Sequence, residues 1–217
     1  MADDDTRTRL LIAAGELFAA KGYEATNVRA ITEQINASPA AVNYHFRSKQ
    51  HLYVEAVRYA AAAVDALCPM SDAHGDLPAE ERLRRFIRGL LNRLFNRDLP
   101  AWQRLLIMRE VAQPHPGACE DLVQRFIRPT YELLRTVLRD LLPPTVPQVE
   151  LDLIGSSIAG QCLHYHHVRH VLPMLVGREE ADAFDIDRLT EHIWRFSLAA
   201  IRGLYPPAVE SSHGRAD

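Results

Sequence analysis

The chain has 217 residues, 47% hydrophobic and 24% charged, which is enough apolar content for a substantial globular core in one or two domains. Its three cysteines, Cys68, Cys119 and Cys162, are too few and too scattered for a disulfide framework or a zinc ribbon, which fits a reducing compartment. A net charge of -3 argues against a non-specific nucleic-acid binder, and with neither a signal-peptide pattern after Met1 nor an apolar run of ~20 residues, the expected localisation is cytoplasmic, without a membrane partner.

The first predicted helix runs from about Thr6 to Lys21, with Leu10, Ala14, Leu17 and Phe18 inward and Gly22 ending it. Val28, Ile31 and Ile35 give the apolar face of a short second helix, capped by Asn27 and closed by Asn36, which is expected to take a left-handed backbone in a tight turn. A third helix is expected to open on a Ser38 cap with Pro39 in its first turn. Val42 and Phe46, four apart, pack it inward, leaving Ala40, Ala41, Asn43, Tyr44 and His45 outside, with Lys49 just beyond. The reading is a helix-turn-helix.

Small residues lead the third helix and polar ones follow, the order that lets a helix N-terminus approach base edges in a major groove. Asn43 is the candidate base reader, since its amide both donates and accepts. The Tyr44 hydroxyl, the His45 ring and the Lys49 ammonium suit phosphate oxygens. Thr26 and Arg29, at the start of the second helix, and Ser38 complete the expected DNA-contact set. Between Glu33 and Glu55 there is no acidic residue, so this stretch is locally basic despite the overall charge. Any pair of short amphipathic helices shows similar spacing, so periodicity alone does not decide for DNA.

Ser48 is expected to cap a fourth helix with Leu52, Ala56, Val57, Ala60, Ala61, Val64 and Leu67 inward, ending before Pro69. A turn-rich linker from Pro69 to Pro78 follows, with Ser71, Asp72, His74, Gly75 and Asp76. Leu83, Phe86, Ile87, Leu90, Leu91 and Leu94 then recur at helical spacing, with Arg82, Arg84, Arg85 and Arg88 read as a solvated face. A helix from Ala101 to about Ala112 carries Trp102, Leu105, Leu106 and Met108. The next, from about Gly117 to Leu142, holds Leu122, Val123, Phe126, Ile127, Leu134, Val137, Leu138 and Leu141 inward and is expected to kink at Pro129. Two last helices are predicted over about Val149–Val171 and Asp187–Leu204, with a disordered tail beyond residue 205.

The run from Thr8 to Leu52, with Ala13-Ala14, Leu17-Phe18, Lys21-Gly22-Tyr23, Val28-Arg29, Ile31, Tyr44-His45-Phe46 and Ser48-Lys49, resembles the DNA-binding head of the TetR-family transcriptional repressors. It departs from the family in two places: Asn36 replaces the usual turn glycine, and Asn43 takes the place of the common tyrosine, with Tyr44 following. The Asn-Tyr-His-Phe variant resembles the CecR-type subgroup, as do Arg109-Glu110-Val111-Ala112-Gln113-Pro114 and Gly160-Gln161-Cys162.

The resemblance implies an all-α fold with a helix-turn-helix head over residues 1–50, a helical ligand-binding and dimerisation domain over 51–205, and the tail over 206–217. It implies a homodimeric repressor on a palindromic operator, recognition helices about 34 to 36 Å apart, released by a small-molecule effector. It further implies a four-helix bundle made with a second copy, for which Leu151, Ile154, Ile158, Leu189, Ile193, Phe196 and Ile201 are the expected dimer residues. Gly155, Ser157, Ala159 and Gly160 allow close helix contact there.

An organic effector would sit between the kinked helix and its neighbours, and Trp102, Met108, Arg109, Phe126, Tyr131, Gln161 and Tyr165 are the candidate lining. Cys162, His164, His166, His167 and His170 crowd one helix and raise a metal-responsive alternative. Cys162 and His170 lie about 12 Å apart along a straight helix, so one ion would take only two of the set plus a distant partner. No cofactor is expected. An enzyme using the histidines is the remaining alternative, against which stands the lack of a GxSxG elbow, a phosphate-binding glycine loop or an HExxH motif.

Overall fold

The structure is a computed structural model that describes residues 2–70, 73 and 75–206. Among these residues there is no strand, and no helix is long and apolar enough to cross a membrane. The helices are α1 (Ala2–Lys21), α2 (Val28–Gln34), α3 (Ala40–Phe46), α4 (Lys49–Leu67), α5 (Ala79–Phe95), α6 (Ala101–Ala112) and α7 (Ala118–Leu122). A π-helical turn (Val123–Ile127) follows, then α8 (Arg128–Leu141), α9 (Gln148–Val168), α10 (Leu172–Val176), α11 (Arg178–Asp182) and α12 (Ile186–Leu204). The all-α class is as the sequence predicts. The expected linker residues Ser71, Asp72 and His74 and the tail from residue 207 lie outside the described residues.

The chain divides into two compact units, one of residues 1–70 and 92–131, the other of residues 71–91 and 132–217. In the first, Leu10, Ala14 and Phe18 of α1 share one buried cluster with Ile31, Val42, Phe46 and with Leu52, Tyr53, Ala56 and Ala60 of α4. Leu106 of α6 and Ala118 and Leu122 of α7 belong to that same cluster, so the core of the N-terminal head extends well past residue 50. Gly15 makes the α1–α6 packing possible: a Cβ there would stand 2.2 Å from Cζ3 of Trp102. Trp102 in turn lies parallel to Tyr59, ring centroids 6.3 Å apart. Each large side chain so buried contributes roughly 1.5–3 kcal/mol.

Two side chains expected inward lie outside: Leu67 and Ile127 are exposed. Leu67 is the last residue of α4, where a 3.6-residue stripe drifts away from its partner. Ile127 sits in the π-helical turn, whose extra residue rotates the register. That turn is how the chain accommodates Pro129: the ring would clash with the carbonyl four residues before it, and the widened turn shifts that carbonyl away.

In the second unit, Leu83, Phe86, Ile87 and Leu91 of α5, Leu134, Val137 and Leu138 of α8, Leu151 and Ile158 of α9, and Leu189, Ile193 and Ile201 of α12 are buried. Gly155 lets α9 approach α8, its Cβ position 3.4 Å from Leu134 and Leu138. The arginines of α5 are paired: Arg82 with Asp140, Arg84 with Glu191, Arg85 with Glu81 and Arg88 with Asp187. The face is solvated as expected at Arg84, Arg85 and Arg88, whose side chains are 39%, 42% and 49% exposed, and the expectation is corrected at Arg82, 12% exposed. Carboxylates of α8 and α12 face Arg82, Arg84 and Arg88 across the interhelical seam, while Arg85 pairs within α5.

Candidate nucleic-acid interface

Asn27 builds the first part of the helix-turn-helix by accepting a hydrogen bond from the Ala30 amide at 2.8 Å, which caps α2. Asn36 has φ +54, the left-handed backbone expected of it, and the turn it makes carries the chain into α3. Arg9 of α1 donates to the carbonyl of Ile35 at 2.8 Å, holding the end of α2 onto α1. Val42 and Phe46 are buried, and the Arg7 guanidinium lies 5.1 Å from the Phe46 ring centroid. Arg47, at φ +66, closes α3 with its amide on the Asn43 carbonyl, and Ser48 caps α4 by accepting from the His51 amide at 3.1 Å.

This scaffold leaves Ser38, Ala40, Asn43 and Tyr44 exposed, Tyr44 at 74%, with Ala41 and His45 partly so. Tyr44 meets His45 edge to face at 4.9 Å. The Lys49 ammonium stands 4.2 Å from the Tyr23 ring centroid, a cation–π contact that fixes where a charge at the N-terminus of α4 sits. Arg29 pairs with Glu33 at 2.8 Å. Both side chains are well exposed, so the pair is worth only ~0.5 kcal/mol or less and yields readily to a phosphate.

Two expectations about this face are corrected. Thr26 is 2% exposed, and its hydroxyl donates to the Gly22 carbonyl at 2.8 Å, satisfying the end of α1 rather than facing outward. Ser38 makes no side-chain cap; its carbonyl accepts the Ala41 amide at 3.0 Å, because Pro39 is already helical at φ -56 and the turn begins one residue early.

Behind the face lies a satisfied structural polar group, one of the two readings the sequence allows for Glu110. Glu110 of α6 is 0% exposed. Its Oε2 accepts from the Tyr53 hydroxyl at 2.5 Å and lies 3.0 Å from His115 Nδ1, while Oε1 accepts the His115 amide at 2.8 Å. Burial, then the bond to Glu110, holds the Tyr53 phenol well above the ordinary tyrosine range. One residue before Glu110, Arg109 rests a guanidinium nitrogen against Gly22. A signal was available: Gln103, Leu106 and Glu110 are buried at positions i, i+3 and i+7, so a carboxylate falls on the buried stripe of α6.

The candidate effector residues do not all line space. Trp102 fills the hollow over Gly15, Arg109 covers Gly22 and Phe126 packs against the cluster shared by α1, α4 and α7. Met108 and Tyr131 are partly buried in the first unit. Gln161 and Tyr165 belong to the second, where Tyr165 meets Phe184 at 6.0 Å.

The dimer set is also corrected. Leu151, Ile158, Leu189, Ile193 and Ile201 are buried in the second unit's own core and Ile154 partly so; Phe196 alone is exposed, at 61%. Helical periodicity finds an apolar stripe but does not say which of two stripes faces home. The outward stripe is Val149, Leu153 and Gly160 on α9 with Phe196, Ala200 and Gly203 on α12.

The Cys/His cluster diverges. Cys162 is buried, its thiol pushed up to about 12 by burial, and His166 is buried with Arg169 3.0 Å from its Nε2. His164, His167 and His170 face outward. Among the described residues no group of three His, Cys, Asp or Glu is placed to hold a metal ion.

Residues 10–56 match the family model of the TetR family of bacterial regulatory proteins. Residues 79–201 match the model of the C-terminal domain of the HTH-type transcriptional dual regulator CecR. The uncharacterized HTH-type transcriptional regulator YerO of Bacillus subtilis is 23% identical over 204 residues, covering 91% of this chain and 68% of that protein. The HTH-type transcriptional repressor KstR of Mycobacterium tuberculosis is 32% identical over 97 residues, 45% of this chain and 43% of KstR. A tetR-family regulatory protein of Rhodococcus RHA1 superposes with a TM-score of 0.65 at 19% identity, covering 90% of this chain and 96% of that one. A transcriptional regulator of Saccharomonospora viridis, solved in complex with choline, gives 0.59 at 21% identity, over 89% and 95% of the two chains. With its head matching one model and more than half its length the other, the chain belongs to the TetR family of DNA-binding transcriptional regulators, with a C-terminal region of the CecR type.

Proposed function

We propose that the protein is a cytoplasmic, ligand-responsive repressor, not an enzyme, that binds a palindromic operator as a homodimer. One observation carries the DNA side: α3 buries Val42 and Phe46 and presents Ala40, Asn43 and Tyr44 outward in the order a major groove admits. Asn43 reads a base edge, Ala40 and Ala41 allow the approach, and Ser38, Tyr44, His45, Lys49 and Arg29 hold phosphates. KstR, with 32% identity over its matching segment, is a repressor, which supports that direction of control.

The second copy docks on the outward stripe of α9 and α12. Gly160 and Gly203 have open space at their Cβ positions, so a partner helix can approach closely, and Leu153 and Phe196 supply the apolar area. The effector is a small organic molecule, the class to which the choline bound in the Saccharomonospora structure belongs. Met108, Phe126 and Tyr131 of the first unit are its candidate contacts, while Trp102 and Arg109 are occupied with packing. Effector coupling of about 1–3 kcal/mol would lower operator affinity about 5- to 150-fold.

Binding to the protein's own upstream intergenic DNA over a ladder of salt concentrations tests the reading. A palindromic fragment should be preferred over random DNA. Asn43→Ala should cost about 1–3 kcal/mol, chiefly at one base position, and Tyr44→Ala should weaken all sequences alike. Equal affinity for palindromic and random DNA would refute the proposal.

A further inference from the structure

We propose that Glu110 is a positioning residue for the DNA face: its carboxylate locks α4 to the start of α7 and thereby fixes Lys49 where a phosphate is to be met. The inference rests on the reading of Lys49 as a phosphate contact and assigns a role to a side chain remote from the operator.

The link can be followed atom by atom. Lys49 stands on the Tyr23 ring at 4.2 Å. That ring meets Tyr53 at 5.0 Å and His115 at 5.1 Å, and Tyr53 and His115 meet each other at 4.9 Å. Rings packed this way leave Tyr23 no freedom unless Tyr53 or His115 moves. Both are held by the one carboxylate, Tyr53 through its hydroxyl and His115 through both its ring and its backbone amide. The His115 carbonyl then receives the Ala118 and Cys119 amides at 3.2 Å, so Glu110 also sets where α7 begins. A second tie runs parallel: Arg58 of α4 donates to both Asp121 oxygens, at 3.0 and 2.9 Å.

A buried carboxylate surrounded by three donors has little reason to be there for stability alone, since an apolar side chain of similar volume commonly serves as well. What the arrangement supplies is a short, directional connection from the end of α6 to the N-terminal turns of α4. Any displacement of the residue 113–118 corner either breaks a hydrogen bond to Glu110 or carries Tyr53, Tyr23 and Lys49 with it.

The test is a double-mutant cycle in the full-length protein, read as operator affinity and its salt slope. Glu110→Gln and Lys49→Ala should each weaken operator binding on the order of tenfold and lower the salt slope by about one, and the double variant should be no worse than Lys49→Ala. Additive losses, or wild-type affinity in Glu110→Gln, would overturn the proposal. Should Glu110→Gln not fold, Tyr53→Phe removes only the hydroxyl and carries the same cycle. Amide hydrogen exchange over residues 47–53 reads the link without DNA: faster exchange there in either variant supports it, and unchanged exchange overturns it even if operator binding itself is never found.

Discussion

Gly15→Ala offers a prediction whose sign depends on the packing. In a helix interior, replacing glycine by alanine ordinarily stabilises by about 0.8–1.0 kcal/mol, because alanine has less backbone entropy to lose. Gly15 lies within α1 and its φ is not in the left-handed region, so propensity alone predicts a gain. The new methyl would, however, stand 2.2 Å from Trp102 Cζ3 and 2.7 Å from Cε3 and Cη2. Ordinary contact requires more than an ångström of retreat by a rigid indole stacked on Tyr59. Overpacking of this kind costs roughly 1–3 kcal/mol, enough to cancel the propensity gain and exceed it. A net loss of up to about 2 kcal/mol should lower the thermal midpoint by up to roughly 8 °C for a chain of this size. Trp102→Leu in the same background should restore much of the loss, since it empties the contested space. Urea unfolding followed by tryptophan fluorescence and by circular dichroism measures all four species of the cycle. A Gly15→Ala variant more stable than wild type would show that Trp102 does not occupy the hollow.

The remaining predictions concern other parts of the molecule. Leu153→Arg together with Phe196→Arg should shift the protein toward monomer in sedimentation velocity without lowering its helix content, whereas Leu151→Ala should cost about 2–5 kcal/mol of stability, because it is buried within one copy. Ser48→Ala removes the α4 cap and should cost about 1 kcal/mol, measured by urea unfolding. Asp121 has its carboxyl held below the usual range, first by the hydrogen bond from Arg58. Its contribution is therefore present above the unfolded value of about 3.9 and is lost as pH falls through the folded one. Between pH 5 and pH 2 wild type should lose more stability than Asp121→Asn; parallel curves would mean that the pair is not formed.

How much could be read in advance follows from how local each determinant is. Caps and left-handed turns depend on three or four neighbouring residues, so Asn27, Asn36, Gly22 and Ser48 were legible. Ser38 was misread because Pro39 already adopts helical φ, which moves the first turn and leaves the serine hydroxyl without a role as cap. Periodicity locates the buried stripes of α9 and α12 but not their partners, and the family resemblance assigns Leu151, Ile158, Leu189 and Ile193 to a second copy when they close the unit's own core. The paired arginines of α5 and the Tyr53–Glu110–His115 group join residues far apart in sequence, and pairings of that kind leave no periodic trace.

The placement of α6 and α7 bears on how the regulator can work. Were the head closed at residue 50, a signal would have to travel down α4 alone. Leu106, Ala118 and Leu122 instead lie in the same core as Phe18, Val42 and Leu52, so α6 and α7 are part of the body that carries α3. Apolar packing of this kind tolerates small slides, because dispersion contacts are individually weak and non-directional. The hydrogen bonds of Glu110 and the two from Arg58 to Asp121 do not, since they weaken steeply with angle and distance. A cluster that can slide, crossed by a few polar ties that cannot, is the kind of element through which the proposed effector would bias operator affinity, by favouring one discrete arrangement over another.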